Sequence, residues 1–129
     1  MNNVIGLGAI RDAKNASSSV RLVMDKKYKD LMNDVNYYPY DIVDLDGNIV
    51  GTIQVVYLNY LNAYQVTNSK VKEKNKGYGK QAYIQLFKKF NKPVYSDSSL
   101  TIDAENLWKS LVKNGYAVYD KEERKYRSK

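Results

Sequence analysis

Hydrophobic positions along the chain follow two different periods, and the change of period marks where strands give way to helices. Tyr83, Leu86, Phe87 and Phe90 fall at i, i+3, i+4 and i+7, which places them on one face of a helix with lysines on the other. This helix starts after Gly79, and Asn91-Lys92-Pro93 ends it. A second stripe, Ala104, Leu107, Trp108, Leu111 and Val112, continues the helical spacing over a further turn. Thr101 or Asp103 is placed to cap its start, and Asn114-Gly115 supplies a left-handed stop.

Upstream, the pattern is that of strands. Asp44-Leu45-Asp46-Gly47-Asn48 separates the apolar runs Tyr40–Val43 and Ile49–Leu58, and Asp-Gly between β-branched residues is a strong hairpin signal. Ala63–Val71 reads as a third strand, joined to the second through the short Asn59-Tyr60 region. Val20–Met24 reads as a strand and Lys26–Asn33 as a short helix. Val4–Ile10 is ambiguous, a strand weakened by two glycines, and Ala16–Ser19 reads as loop. After the first long helix, Val94-Tyr95-Ser96 follows a proline and suits a strand that returns to the sheet in a βαβ relation. Tyr116–Tyr119 is read as the last strand, and the charged tail from Lys121 to Lys129 is expected to fray. The sum is an α+β chain: a mixed, mostly antiparallel central sheet with flanking helices, expected to form one domain over residues 1–129.

Composition narrows the chemistry. The chain has neither cysteine nor histidine, which excludes a thiol nucleophile, a disulfide, a zinc finger, an imidazole base and a serine triad of the usual kind. No stretch approaches about 18 consecutive apolar residues, and Met1-Asn2-Asn3 opens without a basic and then apolar segment. The expectation is a cytoplasmic protein without a membrane span. Thirteen tyrosines stand against two phenylalanines, a bias that cores, sheet faces and interfaces share. Tyrosine-rich strand faces are also compatible with a homodimer, although no residue demands one.

The charge is more informative than the total of +7 suggests. Residues 1–69 carry 6 basic and 7 acidic side chains, and residues 93–129 carry 7 and 6. Residues 70–92 carry 8 lysines and only Glu73, so the whole excess lies in that segment. A field so concentrated attracts nucleic acid, an anionic surface or a phosphate-rich cofactor. Within it, Val71-Lys72-Glu73-Lys74-Asn75-Lys76-Gly77-Tyr78-Gly79-Lys80 passes from strand to helix through a basic, glycine-containing turn. Gly77 and Gly79 are expected to clear space for a ligand beside the backbone, and the first helical amides and the helix dipole favour an anion there. The spacing matches neither a Walker P-loop nor a dinucleotide-binding fingerprint.

Lys74-Asn75-Lys76-Gly77-Tyr78-Gly79, after a strand and before an amphipathic helix, resembles the Gln/Arg-x-x-Gly-x-Gly/Ala pyrophosphate motif of the GNAT N-acetyltransferase superfamily, with Lys74 at the Gln/Arg position. The order of elements over residues 20–120 is similar to the GNAT core, and Ala104-Glu105-Asn106-Leu107-Trp108 is similar to the family's second conserved helix. The resemblance extends to compact GNAT-like proteins of bacteriophages. It implies acetyl-CoA as co-substrate, with backbone groups near Ser69 and Val71 on the pantetheine arm and amides of Lys76, Gly77, Tyr78, Gly79 and Lys80 on the pyrophosphate. It implies transfer to an amine acceptor, of protein, peptide or small-molecule type, by direct attack in a ternary complex, and it implies no metal.

The sequence departs from the family where a tyrosine commonly protonates the leaving thiolate: that position is Trp108, and an indole N–H is not a usable acid. A frequent family asparagine falls on Thr101, and no acid occurs between Tyr57 and Lys72, where general bases are often found. Asp97, Ser98, Tyr95 and Tyr116 are the substitute candidates, each with a capping or packing role as the plainer explanation; Trp108 itself suits the core. A different reading keeps the fold, loses catalysis and turns the lysine-rich face to nucleic acid or an acidic protein.

Overall fold

The structure, a computed structural model, describes residues 18–74 and 76–129; Val4–Ile10 lies outside them. The strands are β1 (Val20–Met24), β2 (Tyr37–Asp44), β3 (Ile49–Leu58), β4 (Ala63–Val71), β5 (Val94–Tyr95), β6 (Ala117–Asp120) and β7 (Lys125–Ser128). The helices are α1 (Lys26–Met32), α2 (Tyr78–Lys89) and α3 (Ile102–Lys113). All seven strands form one sheet in the order β1-β2-β3-β4-β5-β7-β6. The first four strands make an antiparallel meander, β4 and β5 run parallel across the α2 connection, and the rest is antiparallel.

Local chemistry accounts for the turns. Asp44 Oδ1 accepts from the N–H groups of Asp46 and Asn48, both at 2.9 Å, and Gly47 takes φ +87°, closing the β2–β3 hairpin. Asp25 caps α1 by accepting from the Tyr28 N–H, and Thr101, not Asp103, caps α3 by accepting from the Ala104 N–H. Gly115, at φ +84°, ends α3 as expected. Strand β2 begins three residues earlier than its apolar run suggested. Pro39 is tolerated there because its carbonyl, accepting from the Asp25 N–H, points to the side where β1 has already ended, so the missing N–H breaks no ladder.

The core lies between the sheet and helices α2 and α3. Ile53, Val55, Leu86, Val94, Trp108 and Leu111 are fully buried in it. Trp108 sits in an aromatic cluster, with ring centroids of Tyr83 at 5.2 Å, Phe87 at 5.6 Å and Tyr126 at 6.0 Å.

The end of the chain differs from expectation. Instead of fraying, Lys125–Ser128 forms β7 and inserts between β5 and β6, so Ala117–Asp120 is not the last strand. Asp120 Oδ1 accepts from the N–H groups of Glu122 and Glu123, and Arg124 adopts φ +58°, which turns the chain back. The charged residues masked the strand, yet alternation holds: Tyr126 stacks on Trp108, and Ser128 is buried with its Oγ accepting from the Val94 N–H at 2.8 Å. Ser128→Ala removes the hydroxyl without adding bulk and leaves that amide without its partner. We expect a loss of about 1–3 kcal/mol in urea-induced unfolding, with the fold retained.

Candidate functional site

Strands β4 and β5 pair at only two positions, Tyr64 with Val94 and Gln65 with Tyr95. Beyond Gln65, β4 continues along β3 to Val71, while the chain after Tyr95 turns away toward α3. The parted strands leave a wedge in the sheet. At its apex the β3–β4 register steps from Gln54–Asn68 to Val55–Val66, so Thr67 is a bulged residue.

Two cavities occupy the wedge. The larger, of about 230 Å³, runs along Ser69, Lys70 and Val71 to Gly79 at the start of α2. The smaller, of about 110 Å³, opens between Asn68 and Asp97 over Trp108. They share Ser69, Tyr83, Thr101 and Ala104 as lining residues, so one continuous cleft leads from the β4–α2 junction to Asp97.

The α2 N-terminus is open at the end of this cleft. Gly77 is the N-cap at φ +76° and contributes no capping side chain, and the first turn holds no acid. The first helical bond runs from the Gln81 N–H to the Gly77 carbonyl at 3.0 Å. The N–H groups of Tyr78, Gly79 and Lys80 therefore have no acceptor within the helix, and the helix dipole adds positive character at the same point. Among the described residues, a side chain on Gly77 would meet only Gln81 Nε2, at 3.5 Å, which leaves that direction open to a ligand. The Gln81 carbonyl end is held by the backbone and hydroxyl of Ser19, an anchor that motif reading did not reveal.

Other expected site residues are placed differently. A Cβ on Gly79 would come 3.1 Å from Leu107 Cδ1 and 3.8 Å from Val71 Cγ1, which line the larger cavity with it, so this glycine also lets α2 pack closely on α3. The Lys80 ammonium is turned back onto α3, donating to Ser110 Oγ at 2.9 Å and to Asn114 Oδ1, which leaves only its backbone facing the helix end. Lys74 pairs with Asp103 at 2.9 Å across the mouth of the larger cavity; both side chains are about three-quarters exposed, at 77% and 74%, so the pair contributes little to stability. Lys76 is exposed beside Gly77, and Tyr78 packs against the core.

Among the four substitute acid-base candidates, Asp97 alone opens on the cleft. Ser98 is exposed, with its N–H bonded to Asp97 Oδ1. Tyr95 OH donates to Asp120 Oδ2 at 3.1 Å on the β7 side, and Tyr116 lines a separate hollow near Pro93. Tyr83, read from its spacing as packing alone, places its hydroxyl 3.0 Å from Ser69 Oγ between the two cavities. Burial pushes its pKa up and the nearby Asp97 adds to this, while hydrogen bonds with Ser69 and Trp108 pull it down. The signal available in sequence was the choice of tyrosine over phenylalanine in an otherwise apolar stripe.

No family model and no curated protein sequence matches the chain. Its structure is similar to that of a spermidine N-acetyltransferase from Vibrio cholerae in complex with CoA and spermine, with a TM-score of 0.55, 12% identity, and coverage of 74% of this chain and 59% of that one. This chain thus spans about three-fifths of that enzyme's length. A dodecameric form of the Vibrio cholerae enzyme matches at a TM-score of 0.54 and 12% identity, over 88% of this chain and 75% of that one. An acetyltransferase of the GNAT family from Staphylococcus aureus matches at a TM-score of 0.51 and 19% identity, over 94% and 88%. The chain has the fold of the GNAT N-acetyltransferases.

Proposed function

We propose that the protein is an acetyl-CoA-dependent N-acetyltransferase that passes the acetyl group to a primary amine by direct attack within a ternary complex. The observation that carries this reading is the wedge between β4 and β5, which leads to the uncapped, glycine-opened N-terminus of α2. The residues fit the co-substrate. The unpaired backbone of β4 near Ser69 and Val71 suits the amide groups of a pantetheine arm, and the amides from Lys76 to Lys80 suit a pyrophosphate. Lys70, Lys72, Lys74 and Lys76 supply a positive field around that end. The fold similarity to acetyltransferases supports the same reading, and one of these neighbours is described in complex with CoA.

The acceptor enters from the other end of the cleft. Asp97 is the single carboxylate lining the smaller cavity, and it suits an acceptor with one cationic centre close to the reacting nitrogen. Holding the two reactants in contact supplies most of what acyl transfer to an amine needs, and the nitrogen's proton passes to Asp97 or to water.

Calorimetric titration tests the reading first. Acetyl-CoA and desulfo-CoA are expected to bind, and ATP to bind more weakly than either. Absence of binding by every CoA species sinks the proposal and brings the lysine-rich face, with nucleic acid, forward. The two glycines give a sharper test. Gly77→Ala is expected to cost about 1–2 kcal/mol of stability because φ is positive there, and to weaken acetyl-CoA binding at least tenfold. Gly79→Ala presses on Leu107 instead, and is expected to lower thermal stability with a smaller loss of affinity than Gly77→Ala.

A further inference from the structure

Tyr83 is buried to 3% exposure, yet it carries a hydroxyl where Phe87 and Phe90 in the same stripe carry none. That hydroxyl lies at the point where both cavities meet, since Tyr83 and Ser69 line each of them. Ser69 Oγ lies 3.0 Å from it, and either oxygen can give the shared proton. A pantetheine arm laid from the N-terminus of α2 along Val71 and Ser69 leads toward this junction.

We propose that Tyr83 donates a hydrogen bond to the sulfur of bound CoA and stabilises it as a thiolate without surrendering its own proton. The inference rests on the acetyl-CoA reading above. As the amine nitrogen bonds to the acetyl carbon, the carbon–sulfur bond breaks and its electron pair stays on sulfur. The nitrogen's surplus proton goes to Asp97 and on to water, so amine and thioester become amide, thiolate and one solvent proton. Tyr83 keeps its proton because burial raises its pKa above an ordinary phenol's, whereas thiols ionise near about 8.5. Transfer between them is uphill, but hydrogen-bond donation is not.

The test reads the sulfur directly and needs no acceptor. CoA is bound to the parent protein and to Tyr83→Phe, and thiol ionisation is followed by ultraviolet thiolate absorbance through mildly alkaline pH. The charged side chains lining the two cavities are Lys70, Lys74, Asp97 and Asp103, and all are common to both proteins. The parent is expected to show at least a tenfold greater thiolate to thiol ratio at a given pH. Desulfo-CoA is expected to bind both proteins equally, which shows that the phenylalanine variant is folded and its cleft intact. Identical titration curves for the parent and Tyr83→Phe, with CoA bound to both, overturn the role of Tyr83 and leave the acetyl-CoA reading standing. Failure of CoA to bind the parent overturns both together.

Discussion

Two residue pairs hold β4 to β5, and the shortness of that pairing shapes the rest of the molecule. Parallel strands need a crossover, and α2 supplies it, so the helix starts where β4 ends and lies over the gap. Once the strands diverge, the backbone of β4 past Gln65 has ladder partners on the β3 side only. The bulge at Thr67 bends the strand at that point. Sheets normally shield such unpaired edges; this one keeps an edge inside the protein, walled by Tyr83 and α3. An interior edge is a ready place for an extended ligand with amide groups of its own.

Elements with a regular period were legible in the sequence. The meander, both long helices, the Gly115 stop and the parallel return of Val94 and Tyr95 all appear at or near their expected positions. What escaped was decided by neighbours. Lys125–Ser128 looks too charged for a strand, but its lysine and arginine lie on a partly exposed side while Tyr126 and Ser128 face Trp108 and Val94. Gly79 looks like a phosphate-loop glycine, and only the proximity of Leu107 shows that it serves helix packing as well. Tyr83 fits a core stripe perfectly well by spacing; that its oxygen sits at a cavity junction depends on Ser69, fourteen residues away.

The lysine-rich segment acts through its summed field more than through individual contacts. Lys80 is anchored to α3, Lys74 is paired with Asp103, and Lys89 lies over the Tyr40 ring at 5.5 Å. Each is tied to the protein, yet each still contributes its charge within about 10 Å, the screening length at moderate salt. A phosphate-bearing ligand drawn to this region finds its specific contacts in the backbone of the α2 terminus, which side-chain engagement leaves untouched.

The position of β7 also governs how the molecule is made. Strands β1 to β4 are complete once residue 71 has emerged from the ribosome, but the far half of the sheet cannot close until Ser128 takes its place between β5 and β6. At about 5–20 residues per second, that interval is on the order of 3–11 s. Throughout it, the outer edge of β4 stands uncovered in a nascent chain, joined by the underside of the Trp108 cluster once that residue has emerged. The segment that emerges first in the interval is the lysine-rich one, whose mutual repulsion discourages edge-to-edge pairing between neighbouring nascent chains. The charge that marks the ligand end of the cleft in the finished protein therefore also guards its synthesis.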